Sequence, residues 1–459
     1  MERDLTFTLL TFTLLTFFLL AAVGCDEGTA IGAAGSGGSG GMPGSGGTAA
    51  VGGSGGAPGS PALDPLSGTP RYAVLSSDFS SSSIAMLDAD FATIDESWLN
   101  SGTRYPGLVA TLSGDVVLPN RQAGDGTVAV IDRFFTDVVT RFFVPSGDLN
   151  GQLRTQGDTG DSGFSSNPQD FIFVDSDSAW VPRYESNLNS AAIPDNRGND
   201  LFEVNPSDMS ATGARIDLSS LDTTATVGTD AEAVDVDVFA RPSRGLLVGS
   251  TIVVGLDRIS ANFDAAGPGM VAVVDLEDES VEGLELPGLK SCGRTVPVPG
   301  APSKLVVACV GFAQPFGDEP QVRASSGIAL LDLSEGGPVI EQIWRVADDP
   351  MSAIAVNAVI AIDAQRVLGV ASGDFAEVSD RLYLLDVATG AQELVHESTS
   401  SFVIGEPAYD PDSEMLYVPD AAENAVLEFA AEEGSFVEVG AVMIAPGIGL
   451  PPTKVYLLD

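Results

Sequence analysis

The chain has 459 residues, 44% of them apolar, and carries 64 acidic against 21 basic residues for a formal net charge of −43. Only three of the bases are lysines: Lys290, Lys304 and Lys454. Such a charge repels phosphate backbones and anionic lipid, which argues against nucleic-acid binding and against membrane attachment through a basic patch. The apolar fraction is ample for a core.

The first predicted element is the apolar run from Leu5 to Val23, which leads into the small residues Ala21-Ala22-Val23-Gly24-Cys25. A short apolar segment followed by small residues predicts an export signal. Its length also approaches the ~20 residues that span a bilayer, so an uncleaved helical anchor is the alternative. Ala22-Val23-Gly24-Cys25 resembles the lipobox of bacterial lipoproteins. That resemblance implies a signal peptide over 1–24, cleavage before Cys25 and a diacylglycerol on the Cys25 thiol. Either way the rest of the chain is expected at a membrane of the cell envelope, facing periplasm or exterior.

Residues 25–70 are dominated by Gly, Ser, Ala, Thr and Pro. This composition cannot bury a core and predicts a disordered tether. From Cys25 to Pro70 its mean reach is about 35–40 Å. Removing residues 1–70 takes away five acids and one base, so the head keeps 59 acids and 20 bases, or −39. The acidity therefore belongs to the head, residues 71–459.

The head repeats one phrase, an apolar strand ending in a turn residue. Its seven copies are Ile84–Asp88, Val128–Asp132, Leu201–Asn205, Val271–Asp275, Ile328–Asp332, Leu382–Asp386 and Val426–Ala430. The spacing is 44 residues from Asp88 to Asp132 and again from Asp386 to Ala430. An all-strand period of that length predicts a propeller-type array. The run Leu416-Tyr417-Val418-Pro419-Asp420 with Asn424-Ala425-Val426 resembles the repeat of YVTN-type β-propellers. We therefore expect an all-β fold, a seven-bladed β-propeller of four-stranded blades. The phrase is read as the third strand of each blade. The terminal Asp/Asn positions read as turn chemistry rather than a carboxylate ring for metal.

The first blade lacks its first strand, and Pro452–Asp459 is a strand with no blade of its own. The tail is expected to complete the first blade, because closure removes an open edge; a stray edge strand is the alternative. In an up-and-down blade, second-to-third and blade-to-blade connections share one face. The long connections are expected there: 182–200, 249–270, 311–327 and 373–381 between second and third strands, and 146–169 and 219–232 between blades. Pro242–Gly245 reads as a short turn. The candidate binding residues on these loops are Arg183, Tyr184, Asp195, Arg197, Arg258, Asp264, Phe316 and Arg323, with Phe263, Asp318 and Glu319 beside them, since arginines and aromatics favour binding patches. Neutral insertion in loops is the alternative.

Cys292 and Cys309 flank a predicted hairpin about Pro299–Pro302 and are expected to form a disulfide in an oxidising compartment; two free buried thiols are the alternative. His396 is the sole histidine, so no histidine cluster for zinc can form. Outside the Gly/Ser-rich tether no Gly-x-Ser-x-Gly elbow, P-loop or Rossmann fingerprint is present. The expected function is a non-catalytic, monomeric, lipid-anchored module without cofactor that binds an envelope protein or glycan. The alternative is a calcium-dependent, lactonase-like hydrolase using carboxylates on innermost strands, for which Asp235, Asp237 and Asp363 are available.

Overall fold

Runs of apolar residues flanked by Asp-, Gly- and Pro-containing turns become antiparallel strands in a computed structural model of the chain. It describes residues 63, 65–102, 108, 112–156, 164–193, 196–228, 233–314, 319–334, 337–346, 355–373, 378–432 and 434–458. All of these belong to the unit Gly56–Asp459. Cys25 and the expected signal and tether up to residue 62 lie outside the described residues.

The described strands form seven four-stranded antiparallel sheets and one three-stranded sheet. We number the four-stranded sheets 1 to 7 along the chain. Their first strands are Pro452–Leu457, Val116–Val117, Ile172–Phe173, Pro242–Val248, Arg294–Pro297, Ala355–Ala361 and Ala408–Asp410. Sheet 1 thus takes its first strand from the end of the chain, where Val455 pairs with Val74 and Tyr456 with Ala73. This is the pairing expected for the tail.

Adjacent sheets pack face to face. Between sheets 5 and 6, for example, Val306, Ile328 and Leu330 meet Val356, Val359 and Leu385. Because the middle strands are covered on both faces, they read as continuous apolar runs rather than alternating ones. That ambiguity explains one correction. The repeated phrase is the third strand of its sheet in six places, but Val128–Asp132 lies in Thr127–Asp132, the second strand of sheet 2. The third and fourth strands there are Val138–Phe143 and Leu149–Arg154. The expected 146–169 loop therefore contains a strand.

The three-stranded sheet is a second departure. It joins Thr223–Val227, Val234–Phe239 and Ile259–Ser260. Val234-Asp235-Val236-Asp237-Val238 alternates apolar and charged residues, the pattern of a half-exposed strand rather than an inner one. Pro242–Gly245, expected as a turn, instead opens the first strand of sheet 4, a position proline tolerates. Gly245 is required there. A Cβ would lie 2.3 Å from Ile172 Cδ1.

Candidate functional site

Strand direction gives the head two chemically different faces. The turn face carries the first-to-second and third-to-fourth connections, the loop face the others. On the turn face, carboxylates of Asp88, Asp175, Asp275 and Asp386 accept hydrogen bonds from the backbone N–H two residues on, at 2.8–3.1 Å. These are Asx turns at separate tips. The chain also enters at the turn face, where Leu66 N–H donates to Pro145 O at 2.9 Å.

The loop face is apolar at its tips. Phe79, Phe135 and Leu188 are about two-thirds exposed, at 68%, 67% and 67%, and Phe263, Phe402 and Met443 also project there. Phe79, Phe135, Phe263 and Phe402 have φ of 65°, 65°, 58° and 59°. A bulky side chain rarely occupies this left-handed region, and such strain collects at functional sites. Of these, the sequence singles out Phe263 alone, on the 249–270 connection. The available signal was a phenylalanine alone among turn-forming residues, as in Ser77-Asp78-Phe79-Ser80.

Beneath the tips lie several expected contact residues, and they are buried. Arg183 is fully buried on the strand Ala179–Ser186, not on a loop. Its Nε and Nη2 donate to the two oxygens of Asp200 at 2.7 and 2.6 Å, Nη1 donates to Thr155 O, and the guanidinium covers the Phe202 ring. Tyr184 is buried beneath the Arg241 guanidinium. Arg258 is buried and donates to Pro268 O and Leu221 O. These three side chains brace the loops from within, because a long apolar stem carrying a fork of donors can tie several backbone carbonyls at once. Arg197 is exposed on the loop face. Asp264 accepts from Ser260 Oγ, and Arg323 lies on the short helix Glu319–Ser325. Asp195 and Phe316 lie outside the described residues.

The carboxylates named for a calcium site are not gathered. Asp235 and Asp237 sit on the three-stranded sheet, and Asp363 is at the first turn of sheet 6, bonded to Arg366. Among the described residues no group of three His, Cys, Asp or Glu is arranged to hold a metal. His396 Nε2 lies 3.1 Å from Asp420 Oδ2, on the last strand of sheet 6. Cys292 and Cys309 are joined by a disulfide. The hairpin pairs Arg294 with Ala308, so the register runs one residue from that expected and the bond is diagonal.

A second cluster occupies the axis on which the first strands converge. Lys454 Nζ lies 2.7 Å from Glu406, and Arg294 donates to the same carboxylate. Arg244 Nη1 donates to Leu118 O at 2.6 Å, while its nearest carboxylate oxygen, on Asp170, is 3.9 Å away. Asp170 is already satisfied by the backbone N–H groups of Asn120, Phe171 and Gly245, each at 2.8 Å. Asn120 Nδ2 in turn donates to Thr295 O and Gly245 O. Sheets 1, 2, 3, 4, 5 and 7 all contribute.

Arg294 and Lys454 contact Glu406 while Arg244 acts on it from further off, and the titration behaviour follows. Burial alone would raise the Glu406 pKa, but Arg294, Lys454 and Arg244 together hold it well below the usual carboxylate range. Burial, with Arg244 and Arg294 nearby, lowers Lys454 to about 8 against the pull of Glu406. Burial also lowers the Arg244 pKa, despite Glu406 and Asp170. Asp257, held by Ser291 at the edge of this cluster, is pushed up by burial.

No known protein family matches the chain, and no curated protein matches it either. Solved structures do. A candidate 6-phosphogluconolactonase from Bacteroides fragilis aligns over 86% of this chain and 100% of its own, with 10% identity and a TM-score of 0.51. A second, from Bacteroides uniformis, aligns over 84% and 99%, with 12% identity and a TM-score of 0.50. The β-propeller domain of Cps50 (Swd1) from Myceliophteria thermophila aligns over 80% and 98%, with 9% identity and a TM-score of 0.47. At these identities the likeness shows fold alone, and only the two Bacteroides structures, at TM-scores of 0.50 and 0.51, bear on it. The head has a β-propeller fold.

Proposed function

We propose that the seven four-stranded sheets are the blades of a closed, seven-bladed, YVTN-like propeller that acts as a non-catalytic binding module. It is a monomer, exported and held at a cell-envelope membrane through lipid on Cys25, and its partner is an envelope protein or glycan. The observation carrying this reading is the gathering of exposed aromatic tips, four in left-handed conformation, on the loop face. Apolar tips that cost folding energy are retained where they meet a partner. The chain enters at the opposite face, which leaves the loop face free to meet that partner.

The test is a full-length chain with Phe79, Phe135 and Phe402 replaced together by serine. Its circular dichroism and melting should match or exceed those of the parent. Affinity capture from envelope extract should lose the species that the parent retains. An unchanged capture profile overturns the loop-face reading.

A further inference from the structure

We infer that the axial cluster around Arg244 is a binding site for a small oxyanion, a carboxylate or a phosphate group. The site is separate from the loop-tip residues, and nothing in the proposed function requires it.

The argument starts from unspent hydrogen-bonding capacity. The Arg244 side chain is only 4% exposed. A guanidinium carries five N–H donors in a rigid fork suited to carboxylate and phosphate. Among the described residues Arg244 makes one hydrogen bond, from Nη1 to Leu118 O. Its Nε and Nη2 donate to no described residue. A charge so buried is costly unless it is paired and hydrogen-bonded.

The carboxylates nearby are committed elsewhere. Asp170 accepts three backbone N–H groups, Glu406 is shared by Arg294 and Lys454, and Asp257 accepts from Ser291. The depressed pKa values of Arg244 and Lys454 agree with cations that lack enough counter-charge. An oxyanion beside Arg244 would supply the missing acceptor.

The cluster is also reachable. Exposure rises from 4% at Arg244 through 11% at Lys454 and 27% at Glu406 to 35% at Arg294. On this inference the gradient marks a passage from solvent to the buried cation. The three cations come from three different sheets, 4, 5 and 1. They converge although the head holds only 20 basic residues among 59 acids. Electrostatics otherwise disfavours any anion at so acidic a protein, so binding must come from short-range donors in a low-dielectric setting.

The experiment uses the full chain and three probes at constant ionic strength: inorganic phosphate, malonate and chloride. Calorimetric titration and thermal shift should show saturable one-to-one binding of phosphate or malonate, and none of chloride. The stronger of the two identifies the ligand as phosphate-bearing or carboxylic. Arg244→Met should weaken binding at least about tenfold, the loss of one charge-assisted hydrogen-bond pair. Lys304→Met, remote on the turn face, should leave it unchanged. Should Arg244→Met not fold, Arg294→Gln at the mouth serves instead, with a several-fold loss expected. Absence of saturable binding, as when water alone fills the passage, overturns the inference. So does equal binding by the arginine variants.

Discussion

At the scale of single residues, this head places strained or charged groups where packing alone would not choose them. Phe79 projects into solvent with φ of 65°. Glycine adopts that conformation without penalty. Phe79→Gly is therefore expected to raise the unfolding free energy by about 1 kcal/mol in urea denaturation, since the left-handed strain outweighs glycine's entropy cost. Asp132 offers a titration. Its carboxyl is buried and accepts from Ser113 N–H at 2.5 Å, and Oδ2 has no partner among the described residues. Burial pushes its pKa up to about 6 despite that hydrogen bond, and Asp115 adds to the shift. The folded state then binds the proton more tightly than the unfolded chain. The resulting stability is fully present below pH ~4 and lost as pH rises through 6, by roughly 2–3 kcal/mol. Asp132→Asn should remove that component, so the stability difference between parent and variant should change by that amount from pH 4 to 6 while the variant's own profile flattens.

At the scale of elements, hydrophobic pattern located the strands but could not rank them. Second and third strands are both buried on two faces, so Val128–Asp132 looked like a third strand although it is a second. The alternation in Val234–Phe239 was a legible sign of a half-exposed sheet, and it was outweighed by the regular blade count. Pro242–Gly245 reads as a turn on composition, and only the crowding at Gly245 shows why it is a strand. The candidate site was less legible. Arg183 and Arg258 were recognised as unusual, but whether an arginine faces solvent or a neighbouring backbone depends on tertiary packing. The axial cluster was invisible, because Arg244, Glu406 and Lys454 meet only when separate strands converge. The Cys292–Cys309 bond was readable from the hairpin, within one residue of register. Replacing both cysteines with serine should cost about 3 kcal/mol, the chain-entropy value for a loop of ~15 residues. The measurement is unfolding of parent and variant under oxidising conditions; reduction of the parent should give the same loss.

At the scale of the molecule, the pairing of Pro452–Leu457 with Tyr72–Ser77 joins the two ends of the head. Deleting residues 446–459 would leave the hydrogen-bonding edge of Tyr72–Ser77 uncovered. Uncovered edges template association. The truncated chain is expected to form larger soluble oligomers or aggregates than the parent, seen by light scattering. Lys454 lies on the same closing strand, so the axial cluster also waits for it. This arrangement has a consequence for synthesis. The first sheet to leave the ribosome is the last to be finished, since its missing member is translated some 380 residues later, from Ser77 to Pro452 by number. A nascent chain cannot complete that sheet until the codons for Pro452–Leu457 are read. A product stalled before them exposes a bare ladder of amides and carbonyls, a ready mark by which chaperones and proteases can tell it from the finished protein.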